Sequence, residues 1–119
     1  MDKTIFDKND GIDEELCLSI YDNSYDFYIS VLKAFYKESK TTVIRMEETL
    51  ERKEYEDYRI LVHGLKGSGG AVGDNKLVDI ATRSNALLKA GDFEGGISFH
   101  NDIINELKRL QSLIEEKVL

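Results

Sequence analysis

Proline and tryptophan are absent from this chain of 119 residues, and it has only one cysteine and two histidines. The lone Cys17 excludes an intramolecular disulfide and fits a reducing compartment. One cysteine and two histidines cannot fill a zinc site of the Cys/His type, so no metal is expected. No apolar run nears the ~18 residues needed to span a bilayer. The opening Met1–Asp7 lacks an apolar signal core, so a cytoplasmic chain with no membrane role is expected. Positive charge is scarce too. The net charge of −7 argues against a nucleic-acid partner, which usually demands a basic patch. What remains, 41% apolar and 33% charged, is the composition of one globular domain.

With no proline to break them, the apolar residues can be tested against the helical period. Ile12, Leu16 and Ile20 step by four after Asp13, an N-cap candidate, and predict a short first helix. Asp22-Asn23-Ser24 supplies turn and cap chemistry. Tyr25, Tyr28, Leu32, Phe35, Val43, Met46 and Leu50 then mark a long helix, with a bend or break expected at Ser39-Lys40. A third helix starts near Tyr55, carries Tyr58, Leu61, Val62 and Leu65, and ends near Gly73. Asp74-Asn75 caps a fourth with Leu77, Ile80, Ala81, Ser84 and Leu88, closed by Gly91. Asp92 caps one last helix holding Phe93, Ile97, Ile103, Ile104, Leu107, Leu110 and Ile114.

Short connections between such helices predict an all-α fold, an antiparallel up-down four-helix bundle with a short additional N-terminal helix. The bundle domain is assigned to residues 12–119, and residues 1–11 to a polar N-terminal arm prone to fraying. The aromatic pairs Tyr55, Tyr58 and Phe35-Tyr36, with Cys17 and His100, are expected to serve the core. The acidic runs Asp13-Glu14-Glu15 and Glu47-Glu48 read as solvated faces.

The third helix carries the chemistry. At ~100° per residue from Tyr58, Leu61, Val62 and Leu65 fall within about 60° of it, whereas His63 falls near 140°. Lys66 lies near 80°, Arg59 near 100°, Gly70 near 120° and Gly67 near 180°. The imidazole therefore faces solvent, with two cations on one flank and bare backbone beside it. Each glycine inside a helix costs roughly 1 kcal/mol relative to alanine, and such a local penalty is expected mainly at functional sites. Close helix packing could explain some of these glycines, and Gly73 is a natural helix end. It explains Gly67 and Gly70 less well, because they share the histidine's face. Cleared ground would let another protein approach. A neutral imidazole is a good nucleophile, and a lysine one turn on can hold anionic oxygens. With no Ser/His/Asp or Cys/His set in sight, this suits a phosphoryl group carried on His63 better than hydrolysis.

The run His63-Gly64-Leu65-Lys66-Gly67-Ser68-Gly69-Gly70-Ala71-Val72-Gly73 resembles the signature of histidine-containing phosphotransfer (HPt) domains of multistep phosphorelays. The likeness extends in helix order over about residues 12–118. It implies that His63 accepts phosphate through Nε2, that Lys66 steadies the phosphoryl oxygens, and that Gly67 leaves room for the partner, the role its face position also gives Gly70. It also implies that Asn85, on the next helix, hydrogen-bonds and orients the histidine. Gly64 departs from the family pattern, where a larger residue is common.

The resemblance implies transfer between aspartates of response-regulator receiver domains, with a hybrid sensor histidine kinase as a further partner. No cofactor of its own is implied, since Mg²⁺ would sit on the receiver. The chain would be a monomeric phosphohistidine carrier, not a self-sufficient kinase. Two rivals differ in kind. One is a helical-bundle interaction domain that no longer carries phosphate. The other is an α/β nucleotide-binding protein in which Arg59-Ile60-Leu61-Val62 is a strand feeding a glycine-rich loop, although Val72 stands where the dinucleotide fingerprint needs glycine.

Overall fold

The computed structural model describes residues 4–119. After a 3-10 turn at Lys8–Asp10 come α1 (Glu14–Ile20), α2 (Tyr25–Glu51), α3 (Tyr55–Val72), α4 (Asn75–Lys89), α5 (Phe93–Ile97) and α6 (His100–Lys117). No strand occurs among the described residues, and Arg59–Val62 lies inside α3, which removes the α/β rival. Among the same residues, no helix is long and apolar enough to cross a membrane.

The fold is an all-α bundle in which α2, α3, α4 and α6 each pack on two of the others. Chain direction alternates across these seams. The start of α2 meets the end of α3, where the Tyr28 hydroxyl donates to the Val72 carbonyl at 2.7 Å. Along α2 and α6, Glu47 lies by His100 while Tyr36 bonds Glu115. The apolar stripes expected on α2, α3, α4 and α6 meet in one core, with Tyr28, Met46, Tyr58, Val62, Leu77, Ile103, Leu107 and Ile114 fully enclosed. Burying that much apolar surface is the main stabilising term.

Side-chain caps begin most of the helices. Ser24 Oγ accepts from Phe27 N at 3.1 Å, Asp74 Oδ1 from Lys76 N at 3.1 Å, and Asp92 Oδ1 from Gly95 N at 2.9 Å. Each satisfies an otherwise orphaned donor of the first turn. Gly73 ends α3 at φ +89°, and a methyl group there would come within 2.9 Å of the Asp13 carbonyl. Glycine is required at that turn on both counts.

Four sequence expectations need correction. First, α2 runs unbroken through Ser39-Lys40. Ser39 is buried, and its hydroxyl donates to Tyr36 O at 3.0 Å and accepts from Gln111 Nε2 at 3.0 Å, so the polar interruption is satisfied inside the bundle. Second, the last predicted helix is two, interrupted at Ser98-Phe99. Gly96 presses so closely on α4 that an added methyl would sit 2.4 Å from Leu88, and Ser84 Oγ donates to Gly96 O at 2.8 Å.

Third, Glu14 is buried rather than solvated. Its carboxylate accepts from the amides of Ile5 at 2.8 Å and Phe6 at 2.9 Å. These bonds hold Phe6 in the core, so the described part of the arm does not fray. Lys117 adds ion pairs to Asp7 at 3.0 Å and Asp10 at 2.7 Å. Residues 1–3 of the arm lie outside the described residues. Fourth, α1 buries Cys17 and turns Leu16 and Ile20 outward, half and more exposed.

Candidate functional site

Helix α3 is wedged between α2 and α4 and has one free side. Tyr58, Val62, Leu65, Gly69 and Val72 face inward. Ile60, His63, Gly64, Gly67 and Gly70 are exposed, and Lys66 is half-buried on the flank. The glycines fall into two kinds. A methyl group on Gly69 would press on Leu77 at 3.2 Å and Val78 at 3.3 Å, so that residue serves close α3–α4 packing. At Gly64, Gly67 and Gly70 a methyl group would meet nothing within 4 Å. The protein's own packing asks for no glycine at these three positions, yet each lowers helix stability.

His63 and Lys66 make no hydrogen bond or ion pair among the described residues. Both therefore remain available to a ligand. Asn85 of α4 is buried, but its Oδ1 accepts from Arg59 Nη1 at 3.3 Å rather than from His63, which corrects the orienting role implied for it. Arg59, one turn before the histidine, also grips Glu56 through Nε at 3.0 Å and Nη2 at 2.6 Å. That guanidinium holds the Glu56 carboxyl below the usual carboxylate range. Sequence reading placed Arg59 on this flank and gave it no partner. The Glu56-x-x-Arg59 spacing was the available sign of the pair.

Elsewhere the ionisable groups do structural work. His100 is buried, with Nδ1 bonded to the Tyr58 hydroxyl at 2.8 Å and Nε2 at 3.4 Å from Glu47. Cys17 is buried, and loss of solvent pushes its thiol up. Asp74 is fully enclosed beside Glu106, whose carboxylate is bonded by Arg109 Nε at 3.0 Å and Nη2 at 2.7 Å. Among the described residues no three His, Cys, Asp or Glu side chains converge where a metal ion could sit.

The constellation is thus an unpartnered imidazole and ammonium on a helix face bared by glycines that nothing inside the fold requires. A family model for the Hpt domain matches residues 30–114, which include all of α3 and α4. The chain belongs to the Hpt domain family. Hpt domains serve histidine phosphotransfer in phosphorelays and interact with receiver domains of two-component systems. The exposed His63 lies within the matched stretch. No curated protein and no solved structure matches this Hpt chain.

Proposed function

We propose that His63 is the phosphoryl acceptor of this Hpt domain, taking the group from a receiver-domain aspartate and passing it to another. The observation that carries this reading is the set of open glycines at 64, 67 and 70 around an exposed, unpartnered imidazole. In the first step a ring nitrogen of His63 lacking a proton, Nε2 by family likeness, attacks phosphorus with its lone pair. A P–N bond forms as the P–O bond to the aspartyl carboxylate breaks, and the carboxylate leaves with that electron pair. A second receiver's aspartate then attacks phosphorus, and the P–N electrons return to the ring.

Lys66 supplies a point charge to the phosphoryl oxygens in both directions. Mg²⁺ enters on the receiver, and the Hpt chain contributes no cofactor. Gly67 and Gly70 keep the approach free of side chains. Ile60 is exposed three residues before His63, and a separate apolar patch of Leu16, Ile20 and Phe27 is exposed beside the C-terminal end of α3. Tyr21 ties that patch to α3, its hydroxyl donating to Ala71 O at 2.9 Å and its ring packing edge-on against Phe27. Such apolar centres with polar rims suit transient protein contacts. The domain acts as a monomeric cytoplasmic carrier, and a hybrid sensor kinase is a candidate source of the first receiver.

The test is incubation with a phosphorylated receiver and Mg²⁺. Acid-labile phosphate should appear on the wild-type chain and be absent from a folded His63→Gln variant. Equal uptake by that variant rejects the site. No uptake by the wild type across a panel of receivers would favour the interaction-only bundle.

A further inference from the structure

We propose that Arg59 is a second cation for the phosphoryl group on His63, parked on Glu56 and Asn85 until that group arrives. The inference rests on the reading of His63 given above. Arg59 and Lys66 stand about one helical turn before and after the histidine, on the same flank of α3. An exposed Glu56–Arg59 pair alone would be an ordinary surface contact worth little. The additional bond is what distinguishes it. Asn85 is buried on the neighbouring helix, and its Oδ1 draws Nη1 across the α3–α4 seam at 3.3 Å. That draws the guanidinium toward the α3–α4 seam, one turn before His63.

Donor and charge accounting point the same way. A guanidinium has five N–H groups. Three are engaged, by Glu56 at Nε and Nη2 and by Asn85 at Nη1, so each terminal nitrogen keeps one free. Before phosphorylation the charges of Arg59 and Glu56 cancel. A phosphoryl group brings nearly two negative charges at neutral pH, more than Lys66 alone can match. Glu56 is 71% exposed in its side chain and can be given up to water, whereas the phosphoryl oxygens offer a fork-shaped donor a stronger acceptor. Arg59 makes and breaks no covalent bond and keeps all its protons.

The full chain can be loaded without any partner, using phosphoramidate as the chemical donor, and the phosphohistidine followed by ³¹P NMR against pH. A nearby cation favours the dianion, so Arg59→Ala should move the phosphoryl titration upward by roughly half a pH unit, a modest effect because water screens the site. Glu56→Gln frees the guanidinium and should move the titration the opposite way. Arg59→Lys should fall between Arg59→Ala and wild type. A pair acting only through its charges would give Arg59→Lys the wild-type titration, so a value between wild type and Arg59→Ala marks direct contact by the fork. Titrations of Arg59→Ala and Glu56→Gln that coincide with wild type overturn the role of Arg59 while leaving His63 as acceptor. If the wild-type signal persists in His63→Gln, both readings fall.

Discussion

Tyr58 and His100 are joined by a 2.8 Å hydrogen bond between the phenol oxygen and Nδ1, enclosed between α3 and α6. The bond ties the helix that carries the exposed histidine to the opposite side of the bundle. Burial pushes the Tyr58 phenol well above its ordinary range, so it stays neutral. Tyr58→Phe should leave His100 Nδ1 unpartnered in the interior and lower stability by about 1–2 kcal/mol. Urea denaturation should show an earlier midpoint with an unchanged slope.

The enclosed carboxyl of Asp74 predicts a pH dependence of stability. Its Oδ2 is buried without a hydrogen-bond donor. Burial first, and then the neighbouring Glu106 carboxyl, raise its pKa to about 7. Burial also works against charged Glu106, but the Arg109 bonds outweigh it and hold that carboxyl below its usual range. Asp74 is the raised case: its stabilising contribution is complete below the unfolded value of 3.8 and drains away as pH rises toward 7. Unfolding free energy should therefore fall between about pH 4 and 7, by an amount on the order of a few kcal/mol. Asp74→Asn keeps the capping oxygen and gives Glu106 a donor, so it should flatten that slope in pH-resolved melts.

The open and the closed glycines should respond oppositely to substitution. Gly67→Ala adds a methyl group that touches nothing and should raise stability by about 0.5–1 kcal/mol. Gly67→Leu should stay folded yet lose most phosphotransfer with a receiver, because the bulk falls on the approach. Gly73→Ala, forced to φ +89° against the Asp13 carbonyl, should cost about 1–3 kcal/mol. Thermal melts and a transfer assay on all three variants check these signs.

Lys66→Ala should slow phosphotransfer about tenfold, the scale of one charge-assisted hydrogen bond. Since Lys66 has no partner among the described residues, melting should hardly change. An unaltered transfer rate removes the lysine from the mechanism.

The helices and the face of α3 were legible in the sequence because a 3.6-residue period of apolar side chains records which side is buried. Tyr58, Val62 and Leu65 fixed the inner face of α3, and the outward direction of His63 followed by subtraction. What escaped depends on atoms far along the chain. Glu14 is buried only because two amides eight and nine residues earlier fold back onto its carboxylate. The Ser98-Phe99 interruption follows from Gly96 seating on Leu88, a contact between helices that no local periodicity encodes. Asn85 is in the expected neighbourhood, but Arg59 claims it. An alignment position names a place on a helix, and competition among donors decides which partner is taken.

The clasp between Lys117 and Asp7 and Asp10 brings the two ends of the described chain side by side. Proteins so arranged commonly tolerate circular permutation. A short linker could join these ends at small loop-closure cost, with the chain reopened at the Arg52–Glu54 turn, where Lys53 already holds a left-handed φ of +58°. Helix α3 with His63 would then begin the polypeptide, and phosphate uptake could be followed in a molecule of reordered connectivity.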